Sequence, residues 1–229
     1  MPNNEPGVFE ILYSLRAMRR LKPDPVPEAL IWRVLETATK APSGGNTQPW
    51  AFVVVRDPGH KAFIQERYKK AWDVYLQANL EAAAAQDPPP TAEEVDKRMR
   101  MAGAATHLAE HLHEAPVLLL VCMQPRDHIL LKDAEGRPRS PAALYASVFP
   151  AVQNLLLACR ALGLGATLTT LHLMYEQEIK ARLGIPDDVE AVALIPIGYP
   201  LGRFGPTTRT PVQDVTYWDT WGQQRGRPG

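Results

Sequence analysis

Cysteine is scarce in this chain. Cys122 and Cys159 are the two present, each inside an apolar run. Two thiols so placed do not build a disulfide framework; they fit buried, reduced side chains in a cytoplasmic protein. Neither sign of charge is in excess, since Lys plus Arg and Asp plus Glu number 25 each. That balance argues against bulk attraction to nucleic acid or to an anionic membrane surface. The first ten residues lack a basic stretch followed by an apolar core, so no signal peptide is expected. The marks of several common chemistries are missing too. No Gly-Lys-Ser/Thr closes a phosphate loop, no glycine fingerprint follows a strand, and no His-Glu-x-x-His occurs. No Ser/His/Asp or paired-carboxylate arrangement stands out.

What is present has a globular profile, with 45% apolar and 22% charged residues in 229. That length suits one sizeable core, and the absence of repeats or low-complexity linkers points to a single domain. The most distinctive stretch is Ala41-Pro42-Ser43-Gly44-Gly45-Asn46-Thr47-Gln48-Pro49-Trp50. Prolines fix its path and glycines let backbone amides approach a ligand closely. Ser43, Asn46 and Gln48 supply neutral donors and acceptors, which suit the planar edge of a heterocycle better than a phosphate or a metal. Ordinary loop chemistry between a helix and a strand accounts for the same composition.

Around this stretch the pattern alternates. Residues 7–20 read as a helix with Val8, Leu12 and Leu15 on one side, ending in the cluster Arg16, Arg19, Arg20 and Lys22. That cluster is either a solvated helix end favoured by the macrodipole or a clamp for phosphate oxygens. Residues 27–40 form the next helix, started by Pro27, with Leu30, Val34, Leu35 and Ala38 inward and Trp32 packing. Residues 51–55 and 116–123 read as fully buried strands. Residues 60–87 are helical, and Tyr68, Trp72 and Tyr75 share one face at i, i+4, i+7. A stripe of that kind is core or pocket. Residues 91–113 make a further helix ending in His107, His111 and His113. The i, i+4 histidine pair has metal-ligand spacing but lacks a third ligand, so no metal is assigned. After a polar loop at 124–140, residues 141–162 form an almost uncharged helix. Gln153, Asn154, Arg160 and Pro150 argue against a membrane span, and burial at a dimer core fits better. Residues 166–171 read as a Thr-rich strand, 176–183 as a helix stopped by Gly184, and 191–198 as a strand. The tail carries Arg203, Arg209, Trp218 and Trp221 without periodicity; its tryptophans need a surface, and a partner subunit offers one.

The Pro-Ser-Gly-Gly-Asn-x-Gln-Pro-Trp stretch after a helix resembles the signature of the FMN-dependent nitroreductase family. Arg16–Leu21, Gly163–Thr170, Ile195–Pro200 and Arg209-Thr210-Pro211 continue the resemblance over nearly the whole chain. It implies an α+β fold: a mainly antiparallel sheet flanked by helices, in an intertwined homodimer with exchanged C-terminal arms. Strand–helix alternation alone suggests a parallel sheet, but alternation does not fix strand direction, and the family's arrangement is the expectation taken forward. In that family residues 15–19 hold the FMN phosphate and ribityl chain. Arg16, Ala17 and Arg19 fall there, with Leu15 and Ala17 departing from the basic residue and serine of many relatives. Arg209 matches the C-terminal arginine on the phosphate. Pro42, Ser43, Gly44 and Asn46 would reach the flavin from the neighbouring subunit. Leu168, Thr169 and Thr170 would lie along the flavin ring, with Thr170 beside N5. Residues 60–113 correspond to a helical cap insertion that sets substrate choice, making Tyr68, Trp72, Tyr75 and His107 substrate-pocket candidates, and residues 200–229 to the dimerisation arm.

The implied reaction is ping-pong hydride transfer from NADH or NADPH to FMN and on to a nitroaromatic, quinone or activated alkene. The cofactor carries the hard chemistry, which accounts for the missing acid–base constellation. Reductive dehalogenation, breakdown of the flavin itself, and FMN storage without turnover are the alternatives.

Overall fold

A computed structural model describes residues 6–124 and 142–226. The expected polar loop at 124–140 lies outside them except for Gln124, as does Pro141. The helices are α1 (Val8–Ser14), α2 (Glu28–Ala38), α3 (Pro58–Ala84), α4 (Ala92–His111), α5 (Ala142–Ala161) and α6 (Glu176–Leu183), and the strands are β1 (Trp50–Val55), β2 (Val117–Met123), β3 (Gly165–Ala166) and β4 (Glu190–Gly198). The strands form one four-stranded sheet in the order β1-β2-β4-β3, and every pairing is antiparallel. The antiparallel sheet implied by the resemblance is therefore the one observed, and the parallel sheet suggested by alternation is not.

β2 is central and buried along its whole length. Its side chains alternate between two cores. Val117, Leu119, Val121 and Met123 meet α2 and α5 on one face, while Leu118, Leu120 and Cys122 meet α3, α4 and α6 on the other. Two covered faces explain the unbroken apolar runs of β2 and β4, where a one-sided sheet would alternate with polar residues. Cys122 and Cys159 are both buried free thiols, and burial pushes them up to about 11 and about 12. No helix among the described residues is long and apolar enough to cross a membrane.

Several expectations are corrected. β1 sits at the sheet edge, and only Trp50 and Val55 in it are buried. Its apolar run marks an edge strand with exposed side chains such as Val54. Trp32 does not pack inward either: it is 64% exposed, and its indole N–H donates to Glu28 on the surface. The Thr-rich strand shrinks to Gly165–Ala166 plus a single bridge between Thr169 and Leu194.

The helix expected over 7–20 stops at Ser14, and Leu15 is already extended. The following segment runs beside the sheet. Met18 N–H donates to the Ala166 carbonyl, Lys22 N–H donates to the Tyr199 carbonyl, and Leu21 bridges Pro200. Those tertiary bonds outcompete the intrahelical ones that residues 15–20 would otherwise make. Gly165 makes the approach possible. A Cβ there would lie 2.9 Å from Leu21 Cδ2 and 3.0 Å from both Met18 Cβ and Pro200 Cβ. Arg160 of α5 then ties the two ends of the chain together. It donates to Ser14 Oγ at 2.8 Å and lies 4.4 Å from the Phe204 ring centroid.

Candidate functional site

The extended segment after α1 contributes Arg16 and Arg19, but not Arg20 or Lys22, to the lining of an open cleft of about 750 Å³. One wall is the core, with Gln153 and Leu156 of α5 and the run Ala166, Thr167, Leu168. The rest is built by the chain ends, with Leu12, Tyr13 and Leu15 from one and Pro206, Thr207 and Arg209 from the other. Arg16, Ala17 and Arg19 complete the lining. The volume is within the range of small-molecule sites.

Three arginines from opposite ends of the sequence thus share one cleft. Among the described residues, Arg16, Arg19 and Arg209 have no carboxylate partner within ion-pair distance. Among the described residues the Arg209 guanidinium donates only to the carbonyl of its neighbour Thr208, at 2.9 Å. Unpaired guanidinium forks beside an apolar wall suit a ligand with a phosphate at one end and a neutral planar body.

The loop 42–48 is placed elsewhere on the chain and does not line this cleft. It is tightly built. Gly45, Asn46 and Gln48 all have positive φ, at 58°, 54° and 48°, and the two without glycine hold a conformation that side chains disfavour. Ser43 Oγ accepts from the Gln48 backbone N–H, Gln48 Nε2 donates to Asn46 Oδ1, and Gly44 N–H donates to Ser147 Oγ of α5, each at 3.1 Å. Pro42, Gly44 and Asn46 remain exposed on this braced loop.

The Nitroreductase family profile matches residues 13–199. The chain belongs to the nitroreductase family. An NADH dehydrogenase from Thermus thermophilus is 32% identical over 206 residues, covering 89% of this chain and 91% of that protein. Iodotyrosine deiodinase 1 from Rattus norvegicus is 30% identical over 192 residues, covering 84% of this chain; the match spans only 61% of the deiodinase's own length. A crystal structure of oxidized iodotyrosine deiodinase bound to FMN and 3-iodo-L-tyrosine has a TM-score of 0.68 and 25% identity, covering 94% of this chain and 100% of that one. The architecture described above is thus the nitroreductase-like fold.

Within this nitroreductase-family chain the expected site residues separate into groups. Arg16, Ala17, Arg19, Leu168 and Arg209 are brought together in the cleft. Thr169 and Thr170 adjoin Leu168 in sequence but do not line it. Thr170 is exposed, and no side-chain hydrogen bond caps the short 3-10 turn Leu171–Tyr175 that follows it. The aromatic stripe departs from a substrate-facing role. Tyr68 and Trp72 are 3% and 5% exposed in the α3–α4 core, and only Tyr75 reaches the surface. The Tyr68 hydroxyl bonds Thr169 Oγ1 at 2.8 Å, and Trp72 Nε1 donates to Thr106 Oγ1 at 3.1 Å.

His107 stacks on His111 with ring centroids 4.3 Å apart, and His111 Nδ1 bonds Glu114 at 2.9 Å. Desolvation, then the charges of His111 and Arg20, hold His107 below its ordinary value and favour a neutral ring. No group of three or more His, Cys, Asp or Glu side chains among the described residues is placed to hold a metal ion.

Sequence reasoning missed the cleft residues Tyr13, Gln153, Thr167 and Thr207. Gln153 had a visible signal, as a polar side chain in a nearly uncharged helix. It also missed His172, which is fully buried with neither ring nitrogen hydrogen-bonded among the described residues.

Proposed function

We propose that this chain is an FMN-dependent NAD(P)H oxidoreductase, working as a homodimer and reducing nitroaromatic, quinone or activated-alkene acceptors. The observation that carries this reading is that Arg16, Arg19 and Arg209, free of carboxylates among the described residues, line one cleft together with Leu156 and Leu168. The donor set fits a flavin mononucleotide. The arginines would hold its phosphate, Ala17 and Thr207 would flank the ribityl chain, and Leu168 with Leu156 would face the ring. The exposed loop Pro42–Asn46 would come from the partner subunit, which explains why it is rigid yet absent from its own chain's cleft. FMN bound there supplies two-electron chemistry, taking a hydride from a nicotinamide and passing it on.

The protein's own part is binding, orientation and exclusion of water. The arginines would hold one end of the cofactor and so fix its orientation in the cleft. Helices α3 and α4 (the cap insertion) do not line the cleft of their own chain and would bear on the acceptor only in the assembled dimer. The apolar side chains exposed on α1 and the tail supply the dimer contact. Two buried, high-pKa thiols suit a cytoplasmic location, where no disulfide is needed.

The test is anaerobic mixing of FMN-loaded protein with NADH and with NADPH while the visible absorption band of the oxidised flavin is followed. Rapid bleaching with one or both is expected; a band that persists for minutes rejects the reading. The likeness to the deiodinase favours one second reading, reductive removal of halogen from a phenol. Halide release from an iodophenol by the chemically reduced protein, without bleaching by nicotinamide, would select it.

A further inference from the structure

Tyr68 is among the most buried aromatics of the chain, yet its hydroxyl is not idle. It meets Thr169 Oγ1 at 2.8 Å, a bond in which either group can donate. Thr169 is held from the other side by β4, donating its N–H to the Leu194 carbonyl at 3.0 Å and accepting from Leu194 N–H at 2.9 Å. Three bonds therefore fix a single residue that no longer belongs to a continuous strand. Its neighbours are the residues that matter to the cleft: Leu168 lines the wall and Thr170 is exposed just beyond it. One turn along α3, Trp72 bonds Thr106, so the same helix face joins the wall to α4.

We propose that Tyr68 is a positioning residue for the cofactor site: through its bond to Thr169 it sets the orientation of Leu168 and Thr170 and links the base of the α3–α4 pair to the cleft wall. This rests on the FMN reading above. Burial raises the phenol's affinity for its proton, while Thr169 and the Arg19 charge oppose that rise. Burial dominates, so the group is a neutral hydroxyl, suited to bracing and not to proton transfer.

Tyr68→Phe removes the hydroxyl and keeps the ring. Isothermal titration of apo-protein with FMN, paired with urea denaturation of the apo-protein, reads the outcome. A two- to tenfold rise in the FMN dissociation constant is expected, about the worth of one hydrogen bond. Thr169→Val should give the same rise, Thr169→Ser should restore wild-type affinity, and the Tyr68→Phe/Thr169→Val double variant should be no worse than either single. Trp72→Phe breaks the neighbouring bond to Thr106 and should lower stability while leaving FMN affinity within twofold. Unchanged affinity in Tyr68→Phe, additive losses in the double variant, or an equal loss in Trp72→Phe overturns the assignment. Should Tyr68→Phe fail to fold, the Thr169→Val and Thr169→Ser pair decides alone. Wild-type protein that binds no FMN overturns the functional reading and this one together; wild-type binding with unresponsive variants overturns only this one.

Discussion

The sheet and the two chain ends bury apolar side chains to opposite degrees. β2 is buried at every position, and both of its faces are covered by helices of the same chain. α1 buries none of its residues, leaving Val8, Phe9, Leu12 and Tyr13 exposed, and the tail leaves Leu201, Val212, Val215, Trp218 and Trp221 exposed. The cleft lies on the seam between them. Its core wall comes from the self-sufficient region and much of its arginine-bearing rim from the region that lacks a surface to pack on. Exposed apolar side chains at both chain ends are the surface that the proposed homodimer would use. On that reading the same chain ends would serve ligand binding and subunit association.

The comparison breaks most severely on truncation after Pro206. That deletion takes Thr207 and Arg209 from the rim and Val212, Val215, Trp218 and Trp221 from the margin, and touches neither core cluster. FMN affinity should fall on the order of a hundredfold, from lost charge-assisted bonds and lost dimer contacts. Sedimentation with absorbance detection should show a folded, colourless monomer. A truncated chain that stays dimeric and yellow removes the tail from both roles.

The core has its own weak point in His172, fully buried with burial pushing it down to about 4. The folded state holds this ring neutral, whereas the unfolded chain protonates it near the ordinary value of about 6.5. Above that value the burial carries no proton penalty. As pH falls from there toward 4 the unfolded state binds the extra proton, and stability drops by about 3 kcal/mol in total. His172→Leu should flatten that acid slope between pH 7.5 and 4.5 in urea titrations. An unchanged slope assigns the acid sensitivity to other groups.

Arg209→Ala isolates the rim without disturbing the margin. Its only hydrogen bond among the described residues is to the adjacent Thr208 carbonyl, so the core should be unaffected in thermal denaturation. FMN binding should weaken by about 1.5–3 kcal/mol, the worth of a bond to a charged group. Wild-type affinity in this variant would take Arg209 out of the site.

The same contrast explains which features were legible in the sequence. β2, β4, α2 and α6 were readable because their residues are buried by neighbours that the periodic pattern anticipates. Residues 15–22 were not, because helical spacing continues through them while Ala166 and Tyr199 capture their backbone. β1 and Trp32 look like core by composition, but exposure at a sheet edge is set by strand order, which no local pattern encodes. Of the site, Arg16, Arg19, Leu168 and Arg209 were named from motif resemblance and the structure brings them together. Tyr68 and Trp72 were placed on one helix face correctly, and that face turns into the core instead of the cleft.

The smallest and sharpest test is Thr170→Ala. Thr170 is exposed at the end of the wall, and its carbonyl accepts from Leu173 N–H at 3.0 Å within the following turn. Its hydroxyl makes no hydrogen bond among the described residues, unlike that of Thr169 one position earlier. Removing that hydroxyl should therefore leave folding stability within about 0.5 kcal/mol, as for most surface substitutions. If the hydroxyl is instead reserved for the cofactor, FMN binding should weaken by about 0.5–1.5 kcal/mol, a two- to tenfold change in dissociation constant. Thr170→Ser keeps the donor and should bind as wild type. Equal FMN affinity in the alanine and serine variants would take the Thr170 hydroxyl out of the site, leaving Gln153 and Thr167 as the side-chain donors on the core side of the seam. A fall in both stability and affinity would instead mean that the wall at this point is not self-sufficient and depends on packing that the separate chain does not display.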